Sequence, residues 1–341
     1  MWSLIDCPPT LWSSKFCRRP AGPVRHAEPA TVILLMIRIR HWIEYLAVRL
    51  FFCWLQTIRL ETCTWMAGYV GWLMVHCIPL RRSVVDNNLQ IAFPHWPAER
   101  RRTTARQMWE HLFLMVCEVA HVPRKIHATN FRDYIHFAPK SRYEIVRLLL
   151  DPRPITIVSG HFGNFEVGNY TTGLLGFPTF AVARPMDNPL LDRFFKNFRA
   201  THGQSILPKR GSARQIAAAL EEGQTLAILC DQWAGPKGCW VDFFGRKTSC
   251  HKAIAVFPLA SGTPLVVSYA KRLDQPMQFE IACYAKTDPS QPGGVPASVR
   301  ELTQWYNLRL EEIIQSTPEQ YWWLHRRWKN KLPQRSRRRA A

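Results

Sequence analysis

The order of hydrophobic and polar positions divides the chain into a helical front section and a later α/β section. Apolar positions at helical spacing predict helices over Trp42–Ile58, over Met66–Leu80 and from Pro97 to Val119. From about residue 150, short continuous apolar runs predict buried parallel strands, with helical segments between and after them. The expected fold class is therefore α/β, with a helical N-terminal region followed by a mostly parallel sheet flanked by helices.

Within the later section, three runs rich in β-branched residues are the expected parallel strands: Pro154–Ser159, Thr179–Ala183 and Thr225–Cys230. The other expected elements are helices at Ser212–Glu222 and Val299–Gln315 and a strand pair at Pro264–Lys271 and Met277–Tyr284. Functional residues in such sheets follow the carboxyl ends of the strands. Candidate chemistry is therefore sought directly after each strand.

The first front helix is interrupted by Glu44 and Arg49, and the second ends at Pro79. A spanning helix needs about 20 predominantly apolar residues, so this region suits an interfacial position better than a transmembrane one. We expect residues 36–80 to associate with a membrane; the alternative is a pair of helices buried in a soluble core.

Composition and charge narrow the class of protein. The 341 residues include 14 Trp and 18 Phe and are 47% hydrophobic, which excludes a chain disordered over most of its length. The 10 cysteines include no C-x-x-C and no zinc-type spacing with histidine, so a disulfide scaffold and a structural metal site lack their signals. Reduced thiols in a cytoplasmic environment are expected.

The formal net charge of +20 requires an anionic partner, either a membrane surface or nucleic acid. From Arg326 to Arg339 the chain carries eight basic residues and no acid, directly after the aromatic segment Tyr321–Leu324. Aromatic residues beside a basic run suit the headgroup zone of a bilayer, and no RNA- or DNA-binding motif accompanies them. The alternative is a solvated basic tail after aromatic residues that pack in the core.

After the first expected strand, His161 lies between Gly160 and Gly163, and Glu166 follows three positions after Gly163. About one such His–carboxylate spacing is expected by chance, so the position after a strand is what raises its interest. The two side chains meet only if His161 lies in the turn and Glu166 in the first turn of the next helix. The histidine would then act as a base; the alternative is a structural histidine beside a helix N-terminal carboxylate.

Further polar residues follow the next strands, and we expect them to bind substrate: Arg184, Asn188, Arg199, Asp231 and Gln232. Converging arginines favour a phosphorylated ligand, because guanidinium binds phosphate in a bidentate manner. Taken singly, residues of this kind are more often structural, for example in an Arg–Asp pair that ties two loops together.

Five segments together resemble the late lipid A acyltransferases of bacteria, the lauroyl/myristoyl transferase family within the wider glycerolipid acyltransferase superfamily. They are GHFGNFEVG, ARPMDNPLLD, LCDQWAGPKG, DFFGRKT and PEQYWWLHRRWK, within a resemblance that runs from about His41 to Lys329. It implies that His161 and Glu166 are the H-x4-[D/E] catalytic pair, with Glu166 fixing the tautomer of His161. Arg199 and Asp231 match the other two polar positions tied to activity.

The resemblance implies transfer of a fatty acyl chain from an acyl thioester, on acyl carrier protein or CoA, to a hydroxyl of a lipid A precursor. Arg184 and Arg199 would hold a phosphate of the glycolipid acceptor or of the carrier, and Asp231 would orient an arginine or a loop. No metal, nucleotide or flavin cofactor is implied, and no nucleic acid partner is expected. Two alternatives are a lysophospholipid or other glycolipid acyltransferase, and a non-enzymatic basic protein that binds membranes or RNA.

The resemblance also suggests a division of the chain. Residues 1–35 are expected to be a disordered extension, either specific to a lineage or produced by a misplaced start codon, and they lack the pattern of a secretory signal. Residues 81–330 would form the catalytic domain and residues 331–341 a basic tail. The expected location is the cytoplasmic face of the inner membrane, either peripheral or through a single N-terminal anchor.

Overall fold

A computed structural model describes residues 29–200, 203–208, 211–291 and 298–329. The helices are α1 (Pro29–Thr57), α2 (Leu60–His76), α3 (Arg82–Ala92), α4 (Ala98–Lys125), α5 (Ser141–Leu150), α6 (Phe165–Leu174), α7 (Pro189–Ala200), α8 (Ala213–Glu221), α9 (Ala253–Ser261) and α10 (Val299–Ser316). The strands are β1 (Ile135–Phe137), β2 (Thr156–Ser159), β3 (Thr179–Ala183), β4 (Gln204–Pro208), β5 (Thr225–Leu229), β6 (Cys239–Phe243), β7 (Arg246–Cys250), β8 (Leu265–Arg272) and β9 (Phe279–Thr287). The expected basic tail and residues 1–28 of the expected extension lie outside the described residues, whereas residues 29–35 form the start of α1.

In the described part of the chain, seven strands form one sheet in the order β1-β9-β8-β2-β5-β3-β4. All neighbouring strands in it are parallel except β8 and β9, which pair antiparallel. The α/β class with a mostly parallel sheet and a helical front is therefore confirmed. The three expected parallel strands are β2, β5 and β3, which are adjacent interior strands of this sheet.

Several elements were not anticipated, namely β1, β4, α3, α5, α9 and the hairpin of β6 and β7. The hairpin turns through Phe244 and Gly245, whose φ angles are 51° and 66°. Two consecutive positive φ angles are typical of the tight turn that suits paired strands, usually built from Asn-Gly or Asp-Gly. Phenylalanine in the first turn position hid the hairpin from sequence reasoning.

Both faces of the sheet are covered by helices. On one face, Phe180 and Leu226 pack against Ile216 of α8. On the other, Val266 packs with Leu148 of α5. Full burial of each such side chain contributes about 1.5–3 kcal/mol, so these contacts fix the layers around the sheet.

The front helices pack against the long helix α4. Leu55 of α1, Cys63 of α2 and Ala120 of α4 share a buried cluster. The other sides of α1 and α2 leave large apolar side chains exposed: Ile33, Leu34, Leu35, Met36, Ile37, Ile39, Trp42, Ile43, Leu46, Leu50, Phe51, Trp54, Trp65, Tyr69 and Trp72. Among the helices of the described ranges, none combines the length and the apolar character that crossing a bilayer requires.

The aromatic segment Tyr321–Leu324 differs from its expected place at a bilayer headgroup zone. Tyr321 and Trp323 are buried in the main core cluster, and Arg327, at the start of the basic run, is 1% exposed. The guanidinium of Arg327 donates to the carbonyl of Gln232 and the side chain of Asn307. After α10 the chain therefore folds back over the carboxyl ends of the strands, which buries residues that the sequence pattern assigned to a membrane surface.

Candidate active site

The turn between β2 and α6 carries His161. Gly163 in this turn has a φ of +59°, and a Cβ atom there would lie 1.9 Å from the carbonyl oxygen of Ala270. That close approach lets the Asn164 amide donate to the same carbonyl oxygen at 2.8 Å. Only glycine fits this backbone position, as the expectation of a tight turn requires.

His161 is held by Asp231, the residue that follows the neighbouring strand β5 by two positions. Its Nδ1 atom lies 2.6 Å from Oδ1 of Asp231, and its backbone amide donates to Oδ2 at 2.8 Å. The pairing of β2 with β5 aligns Ser159 with Leu229, so the residues two positions further along each strand lie side by side. The sheet register thus brings the imidazole and the carboxylate together.

The Asp231 carboxylate is fully buried and ionised. Burial by itself raises its pKa, but the charge of His161 and the hydrogen bonds from its ring and amide outweigh burial and hold the pKa of Asp231 below its usual range. A carboxylate accepts only, so the Nδ1 of His161 carries the proton and donates. Whenever the ring is neutral, Nε2 is then the nitrogen without a proton.

We expected Glu166 to hold a ring nitrogen of His161. The structure instead places Asp231 at Nδ1 of His161 and pairs Glu166 with an arginine. Glu166 lies in the first turn of α6 and pairs with Arg199 at the end of α7. The Arg199 Nε donates to Oε2 of Glu166 at 3.1 Å, and its Nη2 donates to Oε1. Burial lowers the pKa of Arg199, but the Glu166 carboxylate more than offsets this and raises it. His161 lies in the turn, whereas Glu166, five positions later, lies in α6. The helix directs the Glu166 carboxylate towards α7.

The remaining expected substrate-binding residues lie in different surroundings. Arg184 is exposed and donates to the exposed Asp187 at 2.7 Å. Asn188 is 5% exposed; its side chain accepts from the Leu190 amide at the start of α7 and donates to the backbone carbonyl of His41 in α1. Asn188 therefore joins two helices, whereas Gln232 and Arg184 line the cavity described next.

A cavity of about 1150 Å³ opens beside His161 and runs along the sheet. Its lining includes Ile157, Ala181 and Ala227, which are aligned on neighbouring strands. Gly168 of α6 and Ser268 of β8 also line it, so small residues face one another across the space. The short side chains of Ala181, Ala227, Gly168 and Ser268 leave a mostly apolar volume whose lining includes His161.

Three aromatic rings surround the imidazole, and sequence reasoning assigned none of them to the site. The ring centroids of Phe165, Trp322 and His325 lie 5.1, 5.3 and 4.7 Å from that of His161. The Trp322 amide also donates to the carbonyl of His161 at 2.9 Å. Burial lowers the pKa of His325, although Asp231 opposes this effect. Phe165 lies only four positions from His161, whereas Trp322 and His325 belong to the motif YWWLH, which is distant from His161 along the chain.

Comparison with known proteins identifies relatives along most of the chain. Residues 35–330 match the family described as bacterial lipid A biosynthesis acyltransferase. The chain is 23% identical over 295 residues to the lipid A biosynthesis palmitoleoyltransferase of Escherichia coli (strain K12), covering 86% of this chain and 92% of that protein.

It is also 23% identical over 310 residues to the lipid A biosynthesis lauroyltransferase of the same organism, covering 87% of this chain and 94% of that protein. A lipid A biosynthesis acyltransferase of Haemophilus influenzae is 22% identical over 268 residues, covering 76% of this chain and 79% of that protein. The family match spans most of the sequence and includes every residue of the site. The chain therefore belongs to the bacterial lipid A biosynthesis acyltransferases.

Proposed function

We propose that this acyltransferase moves a fatty acyl chain from a thioester of acyl carrier protein to a hydroxyl of a phosphorylated lipid A precursor or a related glycolipid. The observation that carries the proposal is that His161 lines the apolar cavity while its Nδ1 is occupied by Asp231. A base beside a large, mostly apolar cavity suits a reaction between a hydroxyl and a long acyl chain.

In the proposed reaction, His161 Nε2 takes the proton of the acceptor hydroxyl as its oxygen attacks the thioester carbonyl. The C–O bond forms, the C–S bond breaks, and the protonated imidazole returns its proton to the departing thiolate. Asp231 holds the ring orientation and stabilises the imidazolium. General-base assistance of this kind is typically worth about 10²–10⁴-fold in rate. We assign the orienting role to Asp231 on the 2.6 Å contact.

The Glu166–Arg199 pair lines the same cavity, on the side formed by α6 and α7. Because both donors on one edge of the Arg199 guanidinium already contact Glu166, we propose that the pair shapes the cavity wall beside the reacting groups. Arg184 is the better candidate for a substrate phosphate, since its exposed pair with Asp187 is easily exchanged. Gln232 is proposed to contact the acceptor near His161.

The acyl chain is proposed to lie in the slot between α6 and the sheet. Each methylene removed from water there contributes about 0.8 kcal/mol, so a chain of the fitting length gains affinity along its whole extent. Thioesters of acyl carrier protein and of CoA are compared in the test.

Association with the cytoplasmic face of the inner membrane is proposed for α1 and α2. Their exposed apolar side chains, including Trp42, Leu46 and Leu50, form a surface that is unusually large for a chain in water. The net charge of +20 favours an anionic lipid surface.

The test compares wild-type and His161→Ala proteins, purified and supplied with acyl carrier protein or CoA thioesters. Acceptors are a phosphorylated lipid A precursor and, as the rival, a lysophospholipid. We expect transfer to the lipid A precursor and a loss of at least about 10²-fold on substitution. A turnover number of His161→Ala above a tenth of the wild-type value would contradict the proposed mechanism.

Mass spectrometry of lipids from a deletion strain provides the cellular counterpart. The expected result is a lipid A species that lacks one secondary acyl chain. An altered phospholipid profile with unchanged lipid A would instead favour the lysophospholipid alternative.

A further inference from the structure

A buried polar cluster lies directly behind the turn that carries His161. Its members are His111 and Glu118 from α4, Asn164 from the turn and Arg272 from the end of β8, and they are 4%, 0%, 0% and 8% exposed. None of these four side chains lines the cavity. Burial of charged and polar groups is costly unless their hydrogen bonds are made, so each member of the cluster is expected to have hydrogen-bond partners.

The Glu118 carboxylate is saturated with donors. Arg272 donates to it from Nε at 2.5 Å and from Nη2 at 2.6 Å, the Asn164 side chain donates at 2.9 Å and the Met277 amide at 3.2 Å. The buried negative charge is therefore matched by one buried guanidinium, and the carboxylate oxygens are fixed in position.

The tautomer of His111 follows from its neighbours. Arg272 donates from Nη1 to the Nδ1 atom of His111 at 2.6 Å, so that nitrogen carries no proton. Nε2 then carries the proton and donates to the carbonyl oxygen of Gly163 at 3.1 Å. Burial and the Arg272 charge hold the pKa of His111 well below its usual range, which keeps the ring neutral.

These contacts end on the two residues that follow His161 and Phe162. His111 holds the Gly163 carbonyl, and Glu118 holds the Asn164 side-chain amide. The Oδ1 atom of Asn164 also accepts from the Val167 amide, which makes Asn164 the N-cap of α6. Glu166 lies in the first turn of that helix. One helix, α4, thus fixes both the turn bearing the imidazole and the helix bearing the ion-paired carboxylate.

We propose that His111 and Glu118 are positioning residues for His161, acting through the backbone of Gly163 and the side chain of Asn164. This positioning role rests on the proposed function, because its effect on rate is measured with the proposed acyl transfer. A misplacement of about 1 Å costs on the order of 10²-fold in rate, so loss of this support is expected to lower kcat without a matching change in substrate binding.

His121 supplies a matched control in the same helix. It is 5% exposed, and its ring contacts the carbonyl oxygens of Cys117 and Ile58, at the packing surface of the front helices. His111→Phe and His121→Phe both keep an aromatic ring and remove two polar contacts at buried positions. We expect both to lower the melting temperature, but only His111→Phe to lower kcat, by about 10- to 100-fold with KM nearly unchanged.

His111→Gln retains an amide donor for Gly163 and is expected to recover most of kcat. The positioning role is overturned if His111→Phe keeps kcat within about threefold of wild type, or if both Phe variants lose kcat in proportion to their melting temperatures.

A proton NMR measurement separates this inference from the proposed function. The downfield signal of the His161 Nδ1 proton, assigned by its absence in His161→Gln, reports the hydrogen bond to Asp231 in the protein without substrate. It is expected to shift or broaden in His111→Phe and to persist in His121→Phe. An unchanged signal in both variants contradicts the positioning role. If the signal changes in His111→Phe and persists in His121→Phe, but the wild-type protein transfers no acyl chain, only the proposed function is contradicted.

Discussion

The Nδ1 atom of His161 and Oδ1 of Asp231 lie 2.6 Å apart although 70 residues separate them along the chain. Strand pairing explains the contact, because each residue follows its strand by two positions and the strands are aligned at Ser159 and Leu229. Glu166, only five positions from His161, belongs to a helix that points its carboxylate at Arg199 instead. The partner of the imidazole is thus chosen by the sheet and not by proximity in sequence.

Asp231→Asn is expected to lower kcat by about 10³–10⁴-fold, because an amide donor facing Nδ1 favours the wrong tautomer of His161. Glu166→Gln keeps the His161–Asp231 contact and is expected to cost less. Steady-state kinetics on the acyl thioester provide the comparison. A Glu166→Gln variant more damaged than Asp231→Asn would restore Glu166 as the partner of the imidazole.

Arg199→Lys is expected to lose nearly as much activity as Arg199→Ala, because lysine lacks the planar fork that contacts both oxygens of Glu166. A double-mutant cycle with Glu166→Gln, read out as the free energy of unfolding, should give a coupling of about 0.5–3 kcal/mol. Additive effects would show that the pair contributes nothing through mutual contact. Near-wild-type activity of the lysine variant would reduce Arg199 to a point charge.

Ala227→Leu is expected to shorten the preferred acyl chain, because the added carbons enter the cavity between the aligned residues Ile157 and Ala181. Loss of room for even one methylene is worth about 10-fold or more in kcat/KM. Thioesters of several chain lengths test this directly, with the shortest as the internal control. A uniform loss across all lengths would mean that the acyl chain lies elsewhere.

Leu50→Glu in α1 is expected to weaken binding to anionic vesicles, since Leu50 is 69% exposed on the apolar side of that helix. Leu308→Glu in α10 is the matched control, because this leucine is also exposed but lies in a helix that packs on β6, β8 and α9. Cosedimentation at low and high salt separates apolar from electrostatic attachment. Equal binding of both variants and wild type would contradict the assignment of this surface to the membrane.

Glu311 in α10 should make stability depend on pH. Burial raises its pKa to about 7, so the folded state favours the protonated acid. The stability that this group contributes is present below its ordinary pKa and is lost as the pH rises through about 7. Glu311→Gln should therefore melt higher than wild type at pH 8 and similarly to it at pH 4.5. An unchanged difference between the two proteins across this range would rule out the effect.

Much of the sheet was predictable because its central strands are continuous apolar runs that end at polar residues. Thr179–Ala183 matches β3, and β2 and β5 fall within their expected runs. The short edge elements β1 and β4 carry no such pattern, since three to five residues with mixed polarity lack a period. Asn188 shows why the role of a single residue is hard to predict from sequence. This asparagine caps one helix and donates a hydrogen bond to another, but its sequence context is the same as that of a ligand-binding asparagine.

The sequence by itself determined the α/β class, the glycine-flanked His161 after a strand, and the family, because these depend on local patterns and on motif order. Tertiary structure alone decided that Asp231 holds His161, that Glu166 pairs with Arg199, and that Tyr321 and Trp323 are buried. Each of these depends on contacts between residues far apart along the chain or on the direction in which an element leaves a turn. Strand register and the return of the chain after α10 set those contacts, and neither leaves a periodic signal in the sequence.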